Sequence, residues 1–370
     1  MMKLFIVLLY SFVDICYNID NFFATPIDKM GRSFAIRPTL KKYGKSMAFS
    51  VDLQGDHSVI AEKYNKRENF NNFTVKGSIE VKEKDKTIKA EILMSDIIFP
   101  KWDITGKDFM IYYGDFNSDV LSLSYNSKKR KDSLINNLYD SKLINSYMFS
   151  FIKRDDGDML YFGNPLEELK NKKNKGNCKI RENKWMCRMI NVYMNNKGVN
   201  KKYKAVFDTN VLGFLIPKTL FYFFDEMFFN VMMNKNRCNY DNMFNHNLYL
   251  CDCGVMKDFP EISFGIGNYV YTLTAEDLFF HFEDFCVFSG EVHNVDDTVV
   301  LGTYFINQFD IEFNYETNVI TLSANRDIIQ VNEKENEINE EEIQYIIMCV
   351  TIIILVFTSL YLIGIKNKII

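Results

Sequence analysis

The sequence predicts an all-β fold, and two observations carry that reading. Between residues 47 and 322 the chain is a succession of short apolar or alternating runs at strand spacing. They are Met47 to Ile60, Phe73 to Val81, Ile88 to Ile98, Tyr147 to Ile152, Met159 to Gly163, Trp185 to Tyr193, Ile262 to Ile266, Tyr269 to Leu273, Phe309 to Phe313 and Val319 to Leu322. Turn clusters such as Asp155-Asp156-Gly157-Asp158 and Gly265-Ile266-Gly267-Asn268 separate several of them. Helical periodicity is convincing only over Asp132 to Leu143 and over Lys218 to Met233, whose Phe and Met residues are expected to be plain core. A chain of 370 residues can bury a large core, as one big β domain or as two sharing an interface.

A net charge of −4 gives no basic footprint, which argues against nucleic acid as a partner. The Lys runs at 127–132 and 170–176 lie between apolar segments and read as solvated loops.

Both ends are built for a membrane. Residues 1–17 read as a signal peptide or leader, with Lys3 ahead of an apolar core; Asp14-Ile15-Cys16 makes a poor cleavage site, so retention as an anchor stays open. Tyr345 to Ile365 is an uncharged apolar run of 21 residues, enough to cross a ~30 Å hydrocarbon core. An acidic stalk over 327–342 precedes the span, taken as 343–365, and Lys366 and Lys368 follow in a short tail, 366–370. The positive-inside rule puts that tail in the cytosol and the rest in the lumen or outside the cell.

Cysteine usage follows the same logic. Cys349 falls in the span and Cys16 in the leader, leaving Cys178, Cys187, Cys238, Cys251, Cys253 and Cys286. Six in an oxidising compartment read as three disulfides, with Cys178 and Cys187 closing a short loop. The rival, a metal site at Cys251-Asp252-Cys253, lacks a second knuckle and has four His in the whole chain to draw on, so no metal and no cofactor are expected. Asn72-Phe73-Thr74 is a glycosylation sequon.

The stretch 204–217 (KAVFDTNVLGFLIP) reads as strand, acidic turn, strand. Alone it is an ordinary turn, but the order of motifs after it resembles the second lobe of pepsin-like aspartic proteases. AVFDTN resembles the strand entering that family's D-T-G turn; Phe259-Pro260-Glu261-Ile262-Ser263-Phe264 and Tyr269 to Leu273 resemble a pair of its strands; Val300-Leu301-Gly302-Thr303-Tyr304-Phe305 resembles its I-L-G-D-x-F motif. In the first half, Asp119-Val120-Leu121-Ser122-Leu123-Ser124-Tyr125 is similar to the family's D-G-I-L-G-L-G-Y, and Leu134 to Phe151 to the helix and strand after it. The resemblance implies a bilobal fold with a cleft, an N-terminal lobe at 18–167 and a C-terminal lobe at 168–326, the Lys- and Asn-rich 168–184 marking the boundary. It also implies a bridge from Cys286 to Cys251 or Cys253, leaving the other for Cys238.

The family's chemistry needs one carboxylate from each lobe. The resemblance gives Asp208 as the second, supported by Thr209 and Asn210. Reading Phe49, Val51 and Leu53 as the alternating strand of the first lobe puts Gln54 where the first Asp belongs and Gly55 where the family has Thr, while Asp52 and Asp56 flank Gln54 as alternative carboxylates. Asn210 and Asp56 then fall on the family's turn glycine, where a left-handed backbone is tolerated. The hairpin Phe73 to Ser78 lacks the tyrosine of the family's flap. The preferred expectation is a membrane-tethered homologue that binds peptide or protein in its cleft with impaired catalysis, because Gln cannot exchange a proton. The alternatives are an active aspartic endopeptidase using Asp208 with Asp56 or Asp52, and a structural ectodomain with a closed cleft.

The predicted orientation is checked by protease protection on sealed vesicles. The short tail is expected to be clipped from the cytosolic face while 18–342 survives, and digestion of that region from the same face would reverse the assignment.

Overall fold

The computed structural model describes residues 23–330, apart from 27, 31–32, 84–85, 101–103, 126–132, 155–156, 165–173, 196, 244–245 and 325–328. The leader at 1–17 and the span expected at 343–365 lie outside the described residues; of the stalk expected at 327–342, only Ile329–Gln330 is described, as a short strand paired with Tyr269 and Val270. Among those described, no helix is long and apolar enough to cross a membrane.

Strands dominate, in four sheets. A ten-stranded sheet is built between residues 28 and 122, and an eight-stranded sheet mainly between 186 and 301. A six-stranded sheet takes strands from both halves of the chain, in the order Phe23–Pro26, Met159–Phe162, Met148–Ile152, Asp310–Asn314, Val319–Ala324, Asn174–Lys179. A four-stranded sheet joins Cys238–Met243, His246–Asp252, Phe285–Phe288 and Phe279–Phe282.

The two large sheets repeat one pattern. In the first, Phe49–Asp52 runs parallel to Val120–Ser122, which meets Val59–Ala61 antiparallel, and Val59–Ala61 in turn runs parallel to Ile104–Gly114. In the second, Lys197–Phe207 runs parallel to Thr298–Leu301, which meets Phe214–Pro217 antiparallel, and Phe214–Pro217 runs parallel to Gly290–His293. The same crossing of strands therefore occurs twice.

Alternation explains most of these strands. Phe49 and Val51 are buried while Ser50 and Asp52 are half-buried, and Tyr203, Ala205 and Phe207 repeat the pattern on the other side. The expected helices are present. Ser133 caps Leu134–Asp140, its side chain accepting from the Asn136 amide. A longer helical segment runs from Lys218 to Asn234 with a π turn at Asp225–Phe229. Its apolar face is core, as read from the sequence: Phe229 stacks on Tyr249 at 3.9 Å between ring centroids, and the Tyr249 hydroxyl donates to Asp225 at 2.8 Å.

Trp185 stands where the sheets meet. Fully buried, it packs edge-on against Tyr125, Phe149, Phe313 and Tyr315, and its indole N–H donates to the Leu123 carbonyl at 2.6 Å. These neighbours come from both halves of the chain. Trp185→Ala is expected to remove about 3–5 kcal/mol, read as a lower urea midpoint; an unchanged midpoint would contradict this placement.

The structure contains three disulfides, Cys178–Cys187, Cys238–Cys251 and Cys253–Cys286. The expected Cys178–Cys187 loop is present, and Cys286 takes Cys253 while Cys251, which stands opposite both Cys238 and Cys286 in the sheet, takes Cys238.

One half-buried carboxylate makes stability pH-dependent. Burial holds Glu312 above the usual carboxylate range, against smaller opposing pulls from Asn314 and Lys175. Folding therefore favours its protonated form; the penalty is absent below the ordinary value of 4.5, grows as pH rises above it and levels off past the folded one. Glu312→Gln is expected to gain stability over the parent between pH 4 and pH 7. An equal difference at both pH values, measured by urea unfolding, would contradict the assignment.

Candidate active site

Each parallel strand pair leads to an aspartate, Asp52 as the last residue of its strand and Asp208 as the first residue beyond its own. Val51 pairs with Leu121, and Asp52 follows; Phe207 pairs with Leu301, and Asp208 follows. Each aspartate is also bonded through its backbone to the partner strand: the Asp52 carbonyl accepts from the Leu123 amide at 2.8 Å, and the Asp208 amide donates to the Leu301 carbonyl at 3.1 Å. Strand register thus makes Asp52 the counterpart of Asp208.

This register differs from the sequence expectation, which puts Gln54 in the first Asp position. The reading took Leu53 as the last strand residue, whereas the strand ends at Asp52. Leu53 is buried at the place equivalent to Thr209, and Gln54 is equivalent to Asn210. Gly55 is not the counterpart of Thr209 either. Neither Asn210 nor Asp56 has the left-handed backbone the resemblance suggested for them.

The turn amides hold the carboxylates alike. Asp52 Oδ1 accepts from the amides of Gln54 at 2.7 Å and Gly55 at 2.8 Å, and Asp208 Oδ1 accepts from the Asn210 amide at 2.9 Å. Gly55 is required here, since a Cβ on it would come within 2.3 Å of Asp52 Oδ2. Each turn is also braced from behind. Ser122 Oγ donates to the Gly55 carbonyl, and Thr303 Oγ1 donates to the Leu212 carbonyl at 2.8 Å.

Two bonds join the turns. Thr209 Oγ1 donates to the Val51 carbonyl at 2.5 Å, and Gln54 Nε2 donates to the Phe207 carbonyl at 2.6 Å. Each acceptor immediately precedes an aspartate. Leu53 has no hydroxyl for this task, and the neighbouring Gln54 performs it with a longer arm. The lock therefore has both its halves.

Asp56 is exposed beyond the turn, on a polar cavity of about 170 Å³ that it shares with Gln54, Ser124, Tyr125, Asn183 and Lys184. Beside the second turn a larger cavity of about 540 Å³ opens, walled by residues the sequence reading did not pick out: His246, Leu248, Phe280 and Glu291. No spacing motif marks them, because three separate strands contribute them. The long hairpin of Thr74–Glu83 with Lys86–Phe99 extends well past the Phe73 to Ser78 segment, and its first strand contains no tyrosine. Asn72 is exposed just ahead of it.

Among the described residues, Cys253, His281 and Cys286 form a group of metal-ligand type, but the two sulfurs are joined to each other. Cys251 is likewise committed, to Cys238.

Two aspartates at the ends of matching strand pairs, on turns tied across a junction of two sheets, define the aspartic-protease architecture. The chain belongs to the eukaryotic aspartyl protease family, whose model matches residues 85–325. Among solved structures it is similar to the aspartic proteinase from Irpex lacteus, with a TM-score of 0.67 and 11% identity over 86% of this chain and 100% of that one. No curated protein matches the sequence.

The lock yields a direct test. Thr209→Val keeps the volume and removes the donor to a buried carbonyl, with an expected loss of about 1–3 kcal/mol. Gln54→Ala is expected to remove less, about 0.5–1.5 kcal/mol, because its side chain is half-exposed. A double-mutant cycle by urea unfolding that found both changes neutral would dismiss the lock.

Proposed function

We propose that the protein is an aspartic endopeptidase that uses Asp52 and Asp208 as its carboxylate pair and binds polypeptide in an extended form. The observation that carries this is the reciprocal lock, which supports a matched pair of carboxylates from the two halves of the chain. In such a pair one carboxylate takes a proton from an attacking water while the other, protonated, donates to the scissile carbonyl. Proton exchange of this kind is commonly worth about 10²- to 10⁴-fold. No metal or cofactor enters that chemistry.

A second reading, peptide capture without efficient turnover, is favoured by Leu53 at the position of Thr209 and by the tyrosine-free hairpin. A purely structural ectodomain is supported less, because an open cavity adjoins the second turn. The three disulfides support an oxidising compartment, and with the uncharged run at 345–365 we place the catalytic part on the lumenal or extracellular side, tethered to the membrane.

The test is digestion of unfolded protein from acidic to neutral pH by the parent, Asp52→Ala, Asp208→Ala and Asp56→Ala. Loss of at least about 100-fold is expected for the first two variants, with Asp56→Ala close to the parent. A folded parent that cleaves nothing would leave the capture reading in place, and loss in Asp56→Ala with none in Asp52→Ala would reassign the first carboxylate.

A further inference from the structure

One disulfide differs from the other two in its surroundings. Cys178, Cys187, Cys238 and Cys251 are all buried, at 4% exposure or less, so a reagent in solution does not reach their sulfurs while the fold is closed. Cys253–Cys286 is asymmetric: Cys286 is fully buried, whereas Cys253, which opens the short helical turn Cys253–Lys257, is partly exposed. An exposed imidazole stands against both sulfurs. His281 lies directly opposite Cys286 in the hairpin of Phe279–Phe282 with Phe285–Phe288. Its Nδ1 is 3.5 Å from Cys253 Sγ and 3.4 Å from Cys286 Sγ, and its Nε2 is 3.9 Å from the latter.

Access and leaving-group stabilisation are what set the rate at which a thiolate opens a disulfide. Access selects Cys253 as the sulfur attacked, and so makes Cys286 the one expelled. A thiolate left in a buried place is costly unless a cation or a donor faces it. A proton on His281 Nδ1, at 3.4 Å, provides that partner.

We propose that Cys253–Cys286 and His281 form a thiol-exchange site that takes a small thiol from solution. The incoming sulfur, as thiolate, bonds to Cys253 Sγ while the Cys253–Cys286 bond breaks and its electron pair leaves on Cys286 Sγ. His281 passes a proton to that sulfur and regains one from water, balancing the proton the incoming thiol lost. A monothiol thus leaves a mixed disulfide on Cys253 and a free thiol on Cys286. With a dithiol, the reagent's second sulfur then attacks its own sulfur in the mixed disulfide and Cys253 departs as thiolate; the protein bond gains two electrons and the reagent becomes an internal disulfide. The bond at stake closes the segment from Cys253 to Cys286, in which Phe280 and Phe282 line the large cavity. Exchange therefore removes the covalent tie on that wall and leaves Cys238–Cys251 shut.

The test exposes the full-length protein, its free thiols first alkylated, to reduced glutathione under native conditions at neutral pH, with an N-ethylmaleimide quench and peptide mapping by mass spectrometry. Glutathione on Cys253 and maleimide on Cys286 are expected at least about tenfold faster than any labelling of Cys178, Cys187, Cys238 or Cys251. His281→Phe keeps a ring without its nitrogens and is expected to slow the opening of Cys253–Cys286 by about tenfold. The rate at Cys178–Cys187 should stay unchanged in that variant, which reports that it folds; His281→Gln is measured beside it. First labelling at either of the other two bonds, an adduct on Cys286 in place of Cys253, or opening at the parent rate in both His281 variants would overturn the proposal.

Discussion

The arrangement depends on two carbonyl groups. Those of Val51 and Phe207 each lie one residue before an aspartate, and each accepts a side-chain donor from the opposite turn. A neutral hydrogen bond contributes only about 1 kcal/mol net, so two of them do not hold the halves of a protein together. That work falls to the six-stranded sheet and to the aromatic cluster around Trp185, whose apolar burial is larger. The bonds act on register: they decide where one turn stops against the other, and so where the carboxyl groups come to rest.

Gln54 gives this lock its particular character. Its amide N–H fixes Asp52 Oδ1 while its side chain reaches the carbonyl ahead of Asp208, so one residue couples both aspartates. A glutamine loses more rotamer freedom than a threonine when its side chain is fixed, up to about 1.5–2 kcal/mol. That is comparable with the bond it makes. The half built on buried Thr209 should therefore be the stiffer one, and Leu53 compensates on the other side by filling apolar space where a hydroxyl would need a partner.

The fold was legible because it rests on periodicity. Strands such as Ile262–Ile266 and Tyr269–Leu273 match their apolar runs to the residue, and the helical segment from Lys218 carries an unmistakable aromatic stripe. The Lys-rich strand Lys197–Phe207 was seen only at its apolar end, since its lysines hide a strand defined by pairing on both sides. The first aspartate is hard to place from sequence for a related reason. A slip of one residue turns every side chain to the other face, but a slip of two preserves the pattern. Phe49, Val51 and Leu53 are all buried, so alternation cannot tell whether the strand ends at Asp52 or at Gln54. Only the parallel partner, Val120–Ser122, decides it, and that partner is 70 residues away along the chain from Val51 to Leu121.

The two hairpins are held in different ways. The hairpin that walls the large cavity has a disulfide between its strands, a second just beyond it and an ion pair near its tip. The hairpin of Thr74–Glu83 with Lys86–Phe99 is held by strand pairing and has most of its first strand exposed, with Val81 its one buried residue from Thr74 to Lys82. Few buried contacts and solvent-exposed backbone bonds are the conditions under which a segment opens without the rest. The wall of the large cavity is therefore anchored, and the hairpin free to yield belongs to the other half of the chain. Covalent bonding in one half, and its absence from the described hairpin in the other, thus give the chain one anchored wall and one segment that can open by itself.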